Sequence, residues 1–273
     1  MRALGDPARL TETYRRAKPY PHIVLDNVLE ESVVAQAIVE FPDLDDVQWT
    51  NYLHINERKY ANPNIDTWGP TLQRVARYFM SPEFIKFVEQ LTGIEQLLPD
   101  PSLDGGGLHR SIHGGFLNIH ADFTAHHVHG DWQRRVNLLL YLNEDWRDEY
   151  GGELELWSHD MSRCVERVAP IANRAVIFTT TDDAFHGHPT PMNTPQGVTR
   201  KSLALYYFTQ SDNTVVKSTN YRPRPQDGWR RVPMYLERNL LRGYDVAKRR
   251  FGLSDDVASR VLRRLERMRR RRQ

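Results

Sequence analysis

The stretch GGFLNIHADF, residues 114–123, places a histidine and an aspartate two residues apart, His120 and Asp122. If the stretch is a β-strand, side chains at i and i+2 leave the same face. An imidazole and a carboxylate then project together while Ala121 points away. Such a pair can close a hydrogen bond at a strand end, or it can supply two ligands to a metal. A metal needs a third donor from elsewhere in the chain. Two histidines and one carboxylate form the facial ligand set suited to non-haem iron(II), with open positions left for a co-substrate and dioxygen.

Further donors lie downstream. The segment RAVIFTTTDDAFHGHPTP, 174–191, is an apolar strand running into a loop with His186 and His188. TRKSLALYYFT, 199–209, opens the next strand with Arg200, and Ser202 shares its face. A guanidinium presents a planar fork that matches a carboxylate better than an ammonium does. Placed deeper than the metal, Arg200 would grip the far carboxylate of 2-oxoglutarate, whose keto-acid end chelates the metal. Ser202 would add a second hydrogen bond. His188 is two residues from His186, so either could complete the ligand set.

Other polar residues surround these. His109, His113, His126, His127 and His129 are expected to be substrate contacts or exposed loop positions rather than a second metal site. Asn137 lies four residues before Tyr141 and shares its face, so it lines the pocket or is a plain inward polar residue. Of the adjacent Arg134 and Arg135 only one can face inward, and Arg135, in phase with Asn137, is the expected one. Glu155 alternates with Leu154 and Leu156 and could face pocket or solvent. Trp132, Trp146 and Trp157 read as packing residues.

The elements that must position these residues follow from periodicity and punctuation. PYPHIVLDNVL (19–29) alternates as a strand, and EESVVAQAIVEFP (30–42) has helical spacing that stops at Pro42. Residues 43–67 are mixed, with a turn at Asn62, Pro63 and Asn64. GPTLQRVARYFM (69–80) and SPEFIKFVEQLTG (81–93) read as helices; Ser81 caps the second, Pro82 opens it and Gly93 stops it. PDPSLDGGG (99–107) is a loop. Short strands are then expected at 115–121, 135–142, 153–157, 164–168, 174–179 and 200–209, a density that suggests a sandwich or barrel. Residues 210–241 are irregular, with VPMYLERNLL able to begin a helix. SDDVASRVLRRLERM (254–268) is an amphipathic helix capped by Ser254, with Val257, Val261, Leu265 and Met268 on one face.

In this order the pieces HAD, RRVNLLLYLNEDW, YGGELELW, AVIF, FHGHP and RKS resemble the catalytic core of the 2-oxoglutarate/Fe(II)-dependent dioxygenases, in particular the prolyl-hydroxylase-like branch. The block YLN-x-DW…GG-x-L is the most distinctive part, joining strand, turn and strand at a spacing the family shares. The similarity is strong over the central third of the chain. It extends weakly to residues 19–42 and does not reach the tail. It implies a mainly β protein with flanking helices, a double-stranded β-helix or jelly roll. The implied layout is an N-terminal strand and helices (1–107), a catalytic core (108–210), and an irregular segment with a basic C-terminal helix (211–273).

Carried over residue by residue, the resemblance makes His120, Asp122 and His186 the iron ligands. Arg200 would hold the distal carboxylate of 2-oxoglutarate with help from Tyr141. It implies Fe(II), 2-oxoglutarate and dioxygen, with ascorbate as a candidate reductant. The implied reaction hydroxylates an unactivated C–H bond of a prolyl substrate or small metabolite and releases succinate and carbon dioxide. Asp122 argues against the halogenating variant, which lacks the carboxylate ligand. Two other readings stay open: a non-catalytic jelly-roll binding or sensing protein, and a cupin-type metal-dependent isomerase or hydrolase. The first should have lost a ligand or the arginine, and the second has no need of Arg200.

Composition bounds the rest. With 273 residues, 40% hydrophobic and 26% charged, the chain reads as a soluble globular protein with a sizeable core. Cys164 is the single cysteine, so no intramolecular disulfide forms, which fits a reducing compartment. The first twenty residues carry no apolar signal-peptide core and no run is long enough to span a membrane, so a cytoplasmic location is expected. From Arg242 onward twelve Arg/Lys face four Asp/Glu, so the overall charge of +2 hides a mildly acidic body and a basic tail. That tail is expected either to pack with a solvated cationic end or to meet an acidic partner such as nucleic acid, an anionic membrane surface or an acidic carrier.

Overall fold

The computed structural model describes residues 5–47, 49–214 and 216–230. The basic helix expected at 254–268 and the start of a helix in VPMYLERNLL lie outside the described residues.

The chain opens with helix α1 (Pro7–Arg16), whose N-terminus is capped by Asp6, followed by strand β1 (His22–Asp26) and helix α2 (Glu31–Val39). A hairpin of β2 (Thr50–Leu53) and β3 (Glu57–Asn62) comes next. Two helices follow, α3 (Pro70–Phe79) and α4 (Pro82–Thr92). In α4 the Ser81 hydroxyl accepts from Phe84 N–H, Pro82 occupies the first turn, and Gly93 ends the helix in the left-handed region at φ 74°. The strands β4 (Leu98–Pro99), β5 (Gly107–Ser111), β6 (Phe116–Ala121), β7 (Trp132–Tyr141), β8 (Leu154–Trp157) and β9 (Cys164–Val168) come next. They lead into β10 (Arg174–Thr179), β11 (His186–His188), β12 (Arg200–Gln210) and β13 (Asn220–Tyr221).

Among the described residues every strand pairing is antiparallel, and the main path runs β1-β10-β7-β12-β5-β3-β6-β11-β8-β9. Strand β3 pairs with β5 near its C-terminus and with β6 near its N-terminus, so it is the corner where the sheet folds over. The result is a jelly roll, mainly β with flanking helices. The N-terminal strands enter the same sheet as the later ones: β1 forms one edge beside β10, and β3 and β5 supply part of the wall next to β12.

Alternation sorts each long strand into an outer apolar row and an inner mixed row. Val136, Leu138 and Leu140 of β7, with Leu203, Leu205 and Tyr207 of β12, belong to the core that packs under the helices. There they join Val34 and Ala37 of α2, Leu72, Val75, Ala76 and Phe79 of α3, and Phe84, Val88 and Leu91 of α4. The Tyr207 hydroxyl donates to the Phe79 carbonyl at 2.8 Å and pins α3 to the sheet. The opposite face of the same strands carries Asn137 and Tyr141 on β7 and Arg200, Ser202 and Tyr206 on β12. A second apolar cluster, including Leu154, Leu156, Val176, Phe178 and Ala184 around Tyr141, lines that interior.

Candidate active site

His120 ends β6, Asp122 follows it by two residues, and His186 opens β11 directly opposite His120. One potential ligand atom from each of the three lies within 4.8 Å of the other two. The tautomers are set from outside: His120 Nδ1 lies 2.9 Å from the Asn118 carbonyl and His186 Nδ1 lies 2.9 Å from the Ala184 carbonyl. Each Nδ1 therefore carries a proton, and each Nε2 faces Asp122, at 3.4 Å and 3.5 Å. Burial pushes the His186 imidazole down to about 4 against the pull of Asp122, so it is neutral at physiological pH. His188 does not join this cluster.

The Asp122 carboxylate is held from behind. Asn137 Nδ2 donates to its Oδ2 at 2.7 Å, and Arg134 Nη2 stands 3.1 Å from the same oxygen as a close ion contact. That contact is off the hydrogen-bond line. Arg134 Nε donates to Asn137 Oδ1 at 2.9 Å, which closes a triangle. The guanidinium is sandwiched, 3.4 Å from the Tyr206 ring centre and 4.5 Å from that of Phe123. Burial would raise the Asp122 pKa, but Arg134, then His186 and the contacts with His120, hold it well below the usual carboxylate range.

Strict alternation favoured Arg135 as the inward arginine, and the structure places Arg134 there instead. Opposite β12, Tyr207 faces Val136 but Phe208 faces Arg134, so Arg135 is the extra residue of a β-bulge. The bulge resets the phase, and Arg134 and Asn137 share a face although they are an odd number of positions, three, apart. Arg135 reaches Thr209 instead, at 3.3 Å.

A second pole lies across the interior. Arg200 is buried, donates from Nε to the Gly152 carbonyl at 2.7 Å, and lies 3.3 Å from the Tyr141 hydroxyl with its guanidinium over the Tyr141 ring. Gly152 has φ 75°, and a Cβ there would approach Met192 Sδ to 2.7 Å and Arg200 Cδ to 3.2 Å, so only glycine fits behind the arginine. Among the described residues no carboxylate pairs with Arg200. Burial lowers its pKa, partly offset by Tyr141. Ser202 sits in register with Tyr141 on one side and His109 on the other, in the inward row next to Arg200.

Residues 106–208 match the family model described as the 2OG-Fe(II) oxygenase superfamily. This chain is a 2-oxoglutarate-dependent dioxygenase. No curated protein matches the chain significantly. Among solved structures, a prolyl-4-hydroxylase from Pseudomonas putida shares 17% identity over 76% of this chain and 100% of its own, at a TM-score of 0.55. A prolyl hydroxylase from Trichoplax adhaerens, in complex with a peptide fragment of the hypoxia inducible factor oxygen degradation domain, shares 17% identity over 74% of this chain and 90% of its own, at a TM-score of 0.53. These likenesses concern the fold.

The dioxygenase takes Fe(II) as its metal, with 2-oxoglutarate and dioxygen as co-substrates. The residues present fit both groups. Two imidazole Nε2 atoms and a carboxylate converge, with each Nδ1 already engaged by a backbone carbonyl, which suits a divalent iron. A buried guanidinium with no protein carboxylate suits an anionic ligand.

The remaining polar residues divide clearly. Glu57 and Lys59 of β3 form a buried pair at 3.0 Å, extended by His54 at 2.9 Å and the Tyr221 hydroxyl at 3.3 Å from the other Glu57 oxygen. Tyr221 pairs with His120 across β13 and β6, so this network abuts the metal cluster. Sequence periodicity misses it because the inward face of β3 is charged rather than apolar. His126 contacts Asp100 and Ser102, and His127 bonds Asp104 at 2.6 Å, so these histidines tie loops together. His113 bonds the Thr194 carbonyl, and His129 stacks on Trp132. Glu155 faces neither the pocket nor open solvent: it is buried, bonded to Trp157 Nε1 at 2.8 Å and paired with Arg167 at 3.2 Å. No described helix is long and apolar enough to cross a membrane.

Proposed function

We propose that this dioxygenase hydroxylates an unactivated C–H bond of a prolyl peptide or small polar metabolite, with His120, Asp122 and His186 as iron ligands. The observation that carries this reading is the pairing of the three-ligand cluster with a buried, carboxylate-free Arg200 on the facing wall. Bound iron and 2-oxoglutarate supply the oxidising chemistry: dioxygen places one oxygen in the substrate C–H bond and one in succinate, with loss of carbon dioxide. The chain's residues do the rest. Arg134 and Asn137 fix Asp122 so that one oxygen faces the metal, and the carbonyls of Asn118 and Ala184 fix the imidazole tautomers. Arg200, Tyr141 and Ser202 hold the distal carboxylate of 2-oxoglutarate. Leu154, Leu156, Val176 and Phe178 keep water from its methylene chain.

The prolyl reading rests on fold neighbours that are prolyl hydroxylases, one of them holding a peptide fragment, and is an analogy of fold. The small polar metabolite is favoured by a specific observation, the buried Glu57–Lys59–His54 network beside the metal cluster, which lines the wall with charge. The test is 2-oxoglutarate turnover in the presence of prolyl peptides, free proline and polar metabolites, read as succinate release and as substrate mass gain under oxygen-18. Succinate coupled to an oxygen-18-labelled product supports hydroxylation and names the class. Succinate with no labelled product from any class would reject it.

A further inference from the structure

His188 is left over from the metal cluster, yet it is placed as carefully as His186. Strand β11 is His-Gly-His; its register with β6 shifts between the two histidines, but its pairing with β8 is regular, and alternation sends both to the same face. Gly187 allows this: a Cβ there would lie 2.6 Å from the Leu117 carbonyl oxygen, so any other residue would lift β11 off β6. His188 is buried, at 5% exposure, and its Nδ1 is buried without a hydrogen-bond partner. A buried ring nitrogen left without a partner carries the full cost of its lost hydration. In the pairing of β11 with β8, His186 stands opposite Leu156 and Gly187 opposite Glu155, so His188 comes beside Leu154, close in the chain to Gly152, whose carbonyl accepts from Arg200 Nε at 2.7 Å. Two unmet groups therefore share one neighbourhood, a guanidinium without a carboxylate and an imidazole nitrogen without an acceptor. His109 also faces this region, in register with Ser202, and its Nε2 is likewise buried without a partner.

We infer that His188 is a positioning residue for the co-substrate: its Nδ1–H donates a hydrogen bond to the distal carboxylate of 2-oxoglutarate beside Arg200. The inference rests on the co-substrate reading above and adds a donor on the wall opposite Arg200, so that the carboxylate is held from two strands, β11 and β12. It also explains why the chain keeps a second histidine two residues beyond a metal ligand.

The test compares wild type, His188→Gln and His188→Leu in anaerobic titrations of the Fe(II) protein. The ligands are 2-oxoglutarate and 2-oxopentanoate, which has the same length without the distal carboxylate. Binding is read from the visible charge-transfer band, and Fe(II) affinity is measured separately. The leucine variant should bind 2-oxoglutarate about tenfold or more weakly, since a donor to a charged acceptor is lost. The glutamine variant, which keeps an N–H donor, should stay within about threefold of wild type. Neither should change 2-oxopentanoate or Fe(II) binding. Unchanged 2-oxoglutarate binding in the leucine variant overturns the inference, as does equal loss of both ligands or loss of Fe(II). A wild type with iron but no band overturns the co-substrate reading as well, a result distinct from a normal band with indifferent variants. Should the leucine variant not fold, nitrogen-15 spectra of histidine-labelled, zinc-loaded wild type decide. Addition of 2-oxoglutarate should slow exchange of the His188 Nδ1 proton, and an unaffected proton overturns the proposal.

Discussion

The two poles of the interior are built differently. At the Asp122 pole the ligand side chains are fixed from outside: Asp122 by Asn137 and Arg134, His120 by the Asn118 carbonyl, and His186 by the Ala184 carbonyl. At the Arg200 pole polar groups are buried and unspent: a guanidinium without a carboxylate, and single ring nitrogens of His188 and His109 without partners. The first arrangement holds its geometry with no ligand present. The second carries a desolvation cost that an anionic ligand would relieve. On the proposed reading, organisation of the metal site comes from the protein, while the co-substrate completes its own site.

The sharpest way to break this contrast is to remove a proposed metal ligand. Asp122→Ala or His186→Ala should lower Fe(II) affinity by more than about a hundredfold, beyond the 10–100-fold typical of outer partners. Equilibrium metal binding on the folded variants checks this. The matching change at the other pole, Arg200→Ala, should weaken 2-oxoglutarate by roughly a hundredfold while leaving Fe(II) affinity intact. It should also leave the ligand-free melting temperature unchanged or higher, because a buried cation lacking an anion is removed. A marked fall in melting temperature would show that Arg200 is structural. Arg134→Met and Asn137→Ala sharpen the comparison from behind. Each should cost about tenfold in Fe(II) affinity and little in 2-oxoglutarate affinity, as measured on the metal-loaded protein.

The smallest expected effect lies away from both poles. Burial raises the Asp104 carboxyl, but its hydrogen bond and ion pair with His127 outweigh this and bring its pKa to about 2. A depressed carboxylate stabilises the fold fully above its ordinary pKa and loses that contribution as pH falls through the folded value. Wild type should therefore exceed Asp104→Asn by on the order of 1–2 kcal/mol near neutrality. The gap should narrow below pH about 4 and close near pH about 2 in denaturant titrations. A gap independent of pH would remove the ion pair as its cause.

Legibility in the sequence follows the same divide. Elements with a regular apolar period lie close to where the sequence expects them: α2, α3 and α4, and the strands β1, β6 to β10 and β12. The i, i+2 spacing does bring His120 and Asp122 to one side, and β12 does carry Arg200 and Ser202 inward. The hairpin β2–β3 is hidden because its inward residues are Glu57 and Lys59, a pattern that reads as surface. Strand β5 is hidden because it opens on the last of three consecutive glycines, which read as loop, and β11 because three residues are too few to show a period. Arg134 is misread for a different reason. A bulge depends on the partner strand, and nothing in the local alternation of β7 announces it. The choice between His186 and His188 likewise needs tertiary register, since only His186 stands opposite His120.

The central claim is that the two poles act on one ligand, an iron-bound 2-oxoglutarate. Its most direct test is an anaerobic titration of the purified protein with Fe(II) and then 2-oxoglutarate, followed by visible absorbance beside Asp122→Ala and Arg200→Ala. The account predicts a metal-to-ligand charge-transfer band in wild type, lost with iron in the Asp122 variant. In the Arg200 variant the band should be recovered only at much higher 2-oxoglutarate. A folded wild type that binds iron and shows no band at any 2-oxoglutarate concentration would contradict it.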